Sequence, residues 1–185
     1  MNRQLQAALA MDGFFLETLG LNYAVIGGIA LQFWGEPRFT RDLDLTIEDK
    51  LDLTELVKAA TEAFGSRVGD PYQFARDTRM LLLNVHEVDV DIAIALRGYE
   101  EALFQRSQPF EVEPGKHIRI CSAEDLIIHK ALAGRPQDLA DLQSVILRQG
   151  EGLDAAYIRS WLKQFSAALG DSEILGRFER ALLKK

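Results

Sequence analysis

Two aspartates separated by one leucine, Asp42 and Asp44 in RFTRDLDLTI, are the residues of this chain best suited to chemistry. In an extended strand, residues i and i+2 share a face with Cα atoms about 6.5–7 Å apart, so both carboxylates project together. Leu43 and Leu45 then turn to the opposite side, where they can be buried. Paired like charges need open water or a cation. Mg²⁺ (or Mn²⁺) suits them, being a hard ion that takes oxygen ligands from a few protein groups plus substrate phosphates. A third acid would complete a two-ion site, whose ions stand about 3.5–4 Å apart and clamp the attacking and leaving oxygens. VDVDIAI supplies Asp89 and Asp91, which again share one face of a strand.

Upstream, NYAVIGGIALQFW places Gly27 and Gly28 between a short apolar strand and a helix. Without a Cβ, backbone N–H groups there can approach phosphate oxygens, and the following helix N-terminus favours anions. A D-x-D pair alone also fits a solvated strand face. A strand, a Gly-Gly turn, a helix and then paired acids is a rarer combination.

That order, with thirteen residues between Gly28 and Asp42 and a later acid on a strand, resembles the polymerase-β-type nucleotidyltransferase superfamily. The residues matching its motif are Gly27, Gly28, Asp42, Asp44 and either Asp89 or Asp91. Asp91 is favoured, because DIAIALRGYEEALFQR resembles the segment that carries and succeeds the third acid in small bacterial members. A second block, CSAEDLIIHKALAGRPQDLADLQSVI, is similar to the S-x-E-D-L-I-x-x-K-x-x-A-x-R-x-x-D-x-x-D-L signature of AbiEii-type nucleotidyltransferases, the enzymatic half of some toxin–antitoxin pairs. The resemblance implies Mg²⁺-dependent transfer of a nucleoside monophosphate from a nucleoside triphosphate (NTP) to a hydroxyl, with release of pyrophosphate. Gly27 and Gly28 would cradle the triphosphate, Asp42 and Asp44 would hold the metal ions, and Asp91 would serve the acceptor. Implied acceptors are tRNA or another RNA, or a protein, and an implied partner is a cognate antitoxin.

The elements that must position these groups are read from periodicity. Residues 2–19 read as an amphipathic helix, NYAVI and DLDLTI as strands, and TELVKAATEAF as a helix ending at Gly65. RMLLLNV and VDVDIAIAL read as strands joined tightly through His86 and Glu87. A short helix over GYEEALFQR and one or two strands around Pro114-Gly115 come next, and every long segment from Ser122 onward is helical. The expectation is an α+β protein: a mixed-sheet core over residues 1–120 and a helical region over 121–185.

Within the helical block, Ser122 with Asp125 makes an approximate capping box. Lys130 falls between Leu126 and Ile127 on the helical wheel, inside an apolar arc, so it needs an anion. Leu139, Leu142, Val145 and Ile146 should form the core stripe of the next helix, with Asp138 inside it and Asp141 at its edge. Asp138 then pairs with Arg135 or Lys130, or simply offsets the helix dipole. With the family in view, Lys130 is expected to contact the triphosphate and Asp138 to position it. Arg38 and Arg41 flank the acid pair, either to meet phosphate or to balance charge.

Bulk properties are consistent with this. A chain of 185 residues with 48% hydrophobic and 26% charged residues can build a real core. Its net charge of -7 disfavours non-specific coating of nucleic acid. Only the tail from Tyr157 is basic, at +3 with Lys184 and Lys185 included. The single cysteine, Cys121, suits a reducing compartment, and no window approaches the roughly 18 apolar residues of a membrane span, so a soluble cytoplasmic protein is expected. DLDLT also spells the D-x-D-x-T of haloacid-dehalogenase phosphatases, but the apolar strand that should precede it is replaced by PRFTR. The remaining alternative is a catalytically inactive nucleotidyltransferase fold retained as a binding partner or antitoxin.

Overall fold

The protein is described by a computed structural model covering residues 3–95 and 98–183. Leu96 and Arg97, within the run that favoured Asp91, and the basic Lys184 and Lys185 lie outside the described residues. The chain divides into two units, Met1–Ile29 with Phe39–Cys121 and Ala30–Arg38 with Ser122–Lys185. It is α+β: a mixed six-stranded sheet with helices, followed by a helical region.

The first unit opens with α1 (Arg3–Asp12), which continues as a π-helical segment over Gly13–Thr18 where a single helix was expected. Then come β1 (Tyr23–Val25), the start of α2 (Gly27–Trp34), β2 (Leu43–Ile47), α3 (Leu53–Phe64) and α4 (Pro71–Thr78). The unit closes with β3 (Met80–Val85), β4 (Val88–Ile94), α5 (Tyr99–Arg106), β5 (Gln108–Glu113) and β6 (Lys116–Ile120). The spatial order is β3-β4-β2-β1-β6-β5. β2 runs parallel to β4 and β1 parallel to β6, while the β1–β2, β3–β4 and β5–β6 pairs are antiparallel.

Alternation fixes the register that the site depends on. Leu43, Leu45 and Ile47 of β2 and Val90, Ile92 and Ile94 of β4 are all buried, whereas Asp44, Asp89 and Asp91 point the other way. Each such apolar side chain contributes about 1.5–3 kcal/mol by leaving water. A one-residue slip of β4 would expose its apolar set and bury its acids, so the alternative register is strongly disfavoured. The β3–β4 turn carries His86 and Glu87 at φ 52° and 63°. Both positive values suit a two-residue hairpin whose twist matches the strands.

The helix α4 went unread in the sequence, although its signals are local: Asp70 caps it by accepting from the Gln73 amide at 2.9 Å, and Pro71 occupies its first turn. In the second unit, α6 (Ala123–Ala133) packs against α7 (Pro136–Gln149), α8 (Ala155–Leu169) and α9 (Glu173–Leu182). Buried residues surround α6 almost completely, which makes it the central helix and obliges its polar groups to find partners. On α7 the buried stripe is Asp138, Asp141, Leu142, Val145 and Ile146, and Leu139 is exposed rather than in the core. The arginines of the tail are paired, Arg159 with Glu179, Arg177 with Asp171 and Arg180 with Glu173. Among the described residues, no helix is long and apolar enough to cross a membrane.

Candidate active site

The first unit brings the Gly-Gly turn and the acids together. β1 ends at Val25, and the Ile26 amide donates to the Asp44 carbonyl at 3.0 Å, tying the turn to β2. Gly27 adopts φ +62°, a left-handed conformation that L side chains rarely take, and a Cβ there would fall 2.0 Å from Asp44 Oδ2. A Cβ on Gly28 would fall 2.7 Å from Thr40 Oγ1. The glycines therefore have a packing reason to be glycine before any phosphate is considered: they let the acid-bearing segment approach the start of α2. A carboxylate beside the first turn of a helix is also favoured by the helix dipole.

Asp42 stands one residue before β2 rather than inside it. Its carboxylate accepts from the hydroxyl of buried Thr40 at 2.8 Å, a local bond that competes with strand pairing. The Thr40 carbonyl in turn accepts from Gln4 Nε2 at 2.9 Å. Asp44 and Asp91 are register partners on parallel β2 and β4, whereas Asp89 lies opposite Asn84 on β3. Arg67, which leaves no local trace in the sequence, spans the β4 acids, with Nη1 3.2 Å from Asp89 and Nη2 in direct contact with Asp91.

The donor set is chemically right for a hard divalent cation: carboxylates on adjoining strands, with a hydroxyl orienting one of them. Among the described residues no three His, Cys, Asp or Glu side chains converge on one metal position, and Arg67 Nη2 contacts Oδ1 of Asp91. The residues fit such an ion in kind, and Asp44 and Asp91 are adjacent across the two strands.

Lys130 and Asp138 lie in the second unit, in a buried ionic network. Lys130 is 5% exposed, and its Nζ sits 3.0 Å from Asp138 and 2.8 Å from Asp141. Arg135 pairs with Asp138, while Arg38 grips Asp141 through Nε and Nη2, both at 2.9 Å. Gln137 adds a bond to Asp141 at 2.9 Å. Burial raises the Asp141 pKa, but bonds from Arg38, Lys130 and Gln137 outweigh it and bring it down to about 2. Asp138 is lowered in the same way, burial being overcome by Arg135 and Lys130. Next to Lys130, His129 is pushed down to about 4 by burial and by that positive charge. The anion Lys130 needed is thus two aspartates, and Asp141, expected at the edge of the stripe, is a full member of the network.

The S-x-E-D stretch proves to be cap chemistry. The Ser122 hydroxyl accepts from the Asp125 amide at 3.1 Å and donates to the Asp125 carboxylate at 2.6 Å. Tyr157 of α8 donates to Asp125 at 2.8 Å, and Glu124 accepts from the Asp154 amide at 3.1 Å.

Solved structures of the antibiotic-resistance factor ANT(2″)-Ia resemble this chain. Its solution structure aligns with a TM-score of 0.59 and 18% identity, over 90% of this chain and 93% of that one. Its crystal structure in complex with adenylyl-2″-tobramycin aligns with a TM-score of 0.55 and 18% identity, over 89% and 96% respectively. Both likenesses are of fold. No curated protein sequence matches the chain. Residues 9–184 match the family described as "Nucleotidyl transferase AbiEii toxin, Type IV TA system", and the chain belongs to that AbiEii nucleotidyltransferase family.

Proposed function

We propose that the protein moves a nucleoside monophosphate from an NTP to a hydroxyl of an RNA acceptor, tRNA first among candidates, and releases pyrophosphate. The acceptor oxygen attacks the α-phosphorus, the α–β bridging P–O bond breaks, and the hydroxyl proton passes to Asp91. Asp42, Asp44 and Asp91 would hold divalent cations, Mg²⁺ or Mn²⁺, which neutralise phosphate charge and make the acceptor hydroxyl more acidic. Amides at Gly27 and Gly28 bind phosphate oxygens at the start of α2. Thr40 fixes the Asp42 carboxylate. Catalysis by such a set is positioning and charge neutralisation.

One observation carries this reading: Asp91 is the register partner of Asp44, and the Asp44 carboxylate lies against Gly27 of the Gly-Gly turn. Nucleotide binding is also assigned to Lys130 and Asp138. Asp138 gathers Lys130 and Arg135, and the Arg135 side chain, 76% exposed, presents the positive charge a triphosphate meets. The family's toxin–antitoxin setting supports a cognate antitoxin as partner and the cytoplasm as the place of action.

The test is label transfer from each α-³²P NTP with Mg²⁺ into cellular RNA and protein run side by side. Label in RNA that is lost in Asp42→Ala/Asp44→Ala is the expected result. Label in protein alone would move the acceptor to a protein hydroxyl. No label, with no Mg²⁺–NTP thermal shift, would leave the inactive binding partner or antitoxin.

A further inference from the structure

Arg67 has a place in the sheet as well as a contact with it. Ser66 bridges Leu83 at the outer edge of β3, and the Arg67 amide donates to the Leu82 carbonyl at 2.9 Å. Ser66 Oγ also closes its own turn, accepting from the Val68 amide at 3.1 Å. Leu82 is the register partner of Asp91, and Asp91 of Asp44, so Arg67, Leu82, Asp91 and Asp44 form one row across the strands. The backbone is pinned; the side chain crosses Leu82 to reach Asp89 and Asp91. Its side chain is 25% exposed, so this is neither a solvated surface pair nor a sealed one.

We infer that Arg67 is a tethered counter-cation for the β4 acids, and that it exchanges with the divalent ion at Asp91. This rests on the proposed function, because it assigns Asp91 to the metal-binding set. A guanidinium offers five N–H donors in a planar fork and carries one delocalised positive charge, so it can hold two carboxylates together. A hard divalent ion needs the same oxygen lone pairs at about 2.0–2.1 Å. A guanidinium in contact with Asp91 Oδ1 repels a divalent ion brought to the same carboxylate, so the two compete for it. Without metal, Arg67 offsets the repulsion between Asp89 and Asp91; with metal, it lets go of Asp91. Arg67 is therefore a positioning residue that sets how tightly the site takes its ion.

The experiment is titration calorimetry with Mn²⁺ alone on the full chain, comparing wild type, Arg67→Met, Arg67→Lys and Asp44→Asn, beside metal-free thermal melts. Arg67→Met is expected to bind Mn²⁺ about fivefold tighter, the scale of a partly exposed ion pair, and Arg67→Lys to fall between it and wild type. Metal-free Arg67→Met should melt about 2–4 °C lower, with saturating Mn²⁺ closing the gap. In unmutated protein, the Arg67 Nε–H resonance should shift on saturation with Mg²⁺. Wild-type binding with no gain in Arg67→Met, or an unmoved Arg67 resonance, overturns the exchange and leaves the proposed function standing. Wild-type binding no stronger than that of Asp44→Asn overturns both.

Discussion

Asp91 of β4 lies beside Asp44 of β2, strand to strand, while a Cβ at Gly27 would fall 2.0 Å from the same Asp44 carboxylate. Three chain segments thus meet at one acid. The buried leucines, valine and isoleucines beneath β2 and β4 tie this adjacency to core burial, since a one-residue slip of register would uncover them.

Gly27→Ala meets both a clash and a left-handed backbone, so it should displace Asp44 and remove transfer activity. Gly20 shares the positive φ, at +65°, but has nothing within 4 Å of an added Cβ. Gly20→Ala should therefore show only the strain, about 1 kcal/mol, with activity retained. Urea denaturation and NMP transfer measured on the pair separate strain from displacement.

Thr40→Val keeps volume and removes the hydroxyl that orients Asp42. The expected result is a fall of about tenfold in kcat with little change in KM for NTP, as for other groups that orient ligands. Steady-state kinetics at saturating Mg²⁺ reads it.

Lys130→Met strips the shared cation from Asp138 and Asp141, both buried. It should cost about 3 kcal/mol of stability, measured as a lower urea midpoint. NTP binding must then be compared under conditions where the variant is folded; binding equal to wild type would remove Lys130 and Asp138 from the nucleotide site.

Stability should fall with acid in two stages. Folded His129 has a pKa of about 4, below its ordinary 6.5, so the neutral form is favoured and stability declines as pH drops from about 6.5 to 4. Asp141 has a pKa of about 2, below 3.8, so its contribution is complete above about pH 4 and is lost as pH falls toward 2. Thermal melts across pH 7 to 2.5 should show both stages. His129→Gln should flatten the upper one and Asp141→Asn the lower.

The sequence made the acids, the glycines and most elements legible because each leaves a local trace: period-two alternation around Asp44 and Asp91, a Gly-Gly break, a serine cap at Ser122. Arg67 left none. Its partners lie 22 and 24 positions away, and only the pairing of Ser66 with β3 brings it to them. Arg38 and Asp141, 103 positions apart, are equally invisible without the fold. Leu139 is exposed although the apolar spacing puts it in the core stripe, because two of the buried positions on α7 are aspartates neutralised by Lys130, Arg135 and Arg38.

The central claim is that the Asp44–Asp91 pair performs the transfer, and single carboxamide variants test it most directly. Pyrophosphate release with NTP, Mg²⁺ and cellular RNA should be lost in Asp44→Asn and in Asp91→Asn, by about a thousandfold or more, and should stay within about threefold of wild type in Asp89→Asn. An active Asp91→Asn, or an Asp89→Asn as inactive as Asp44→Asn, would contradict the account.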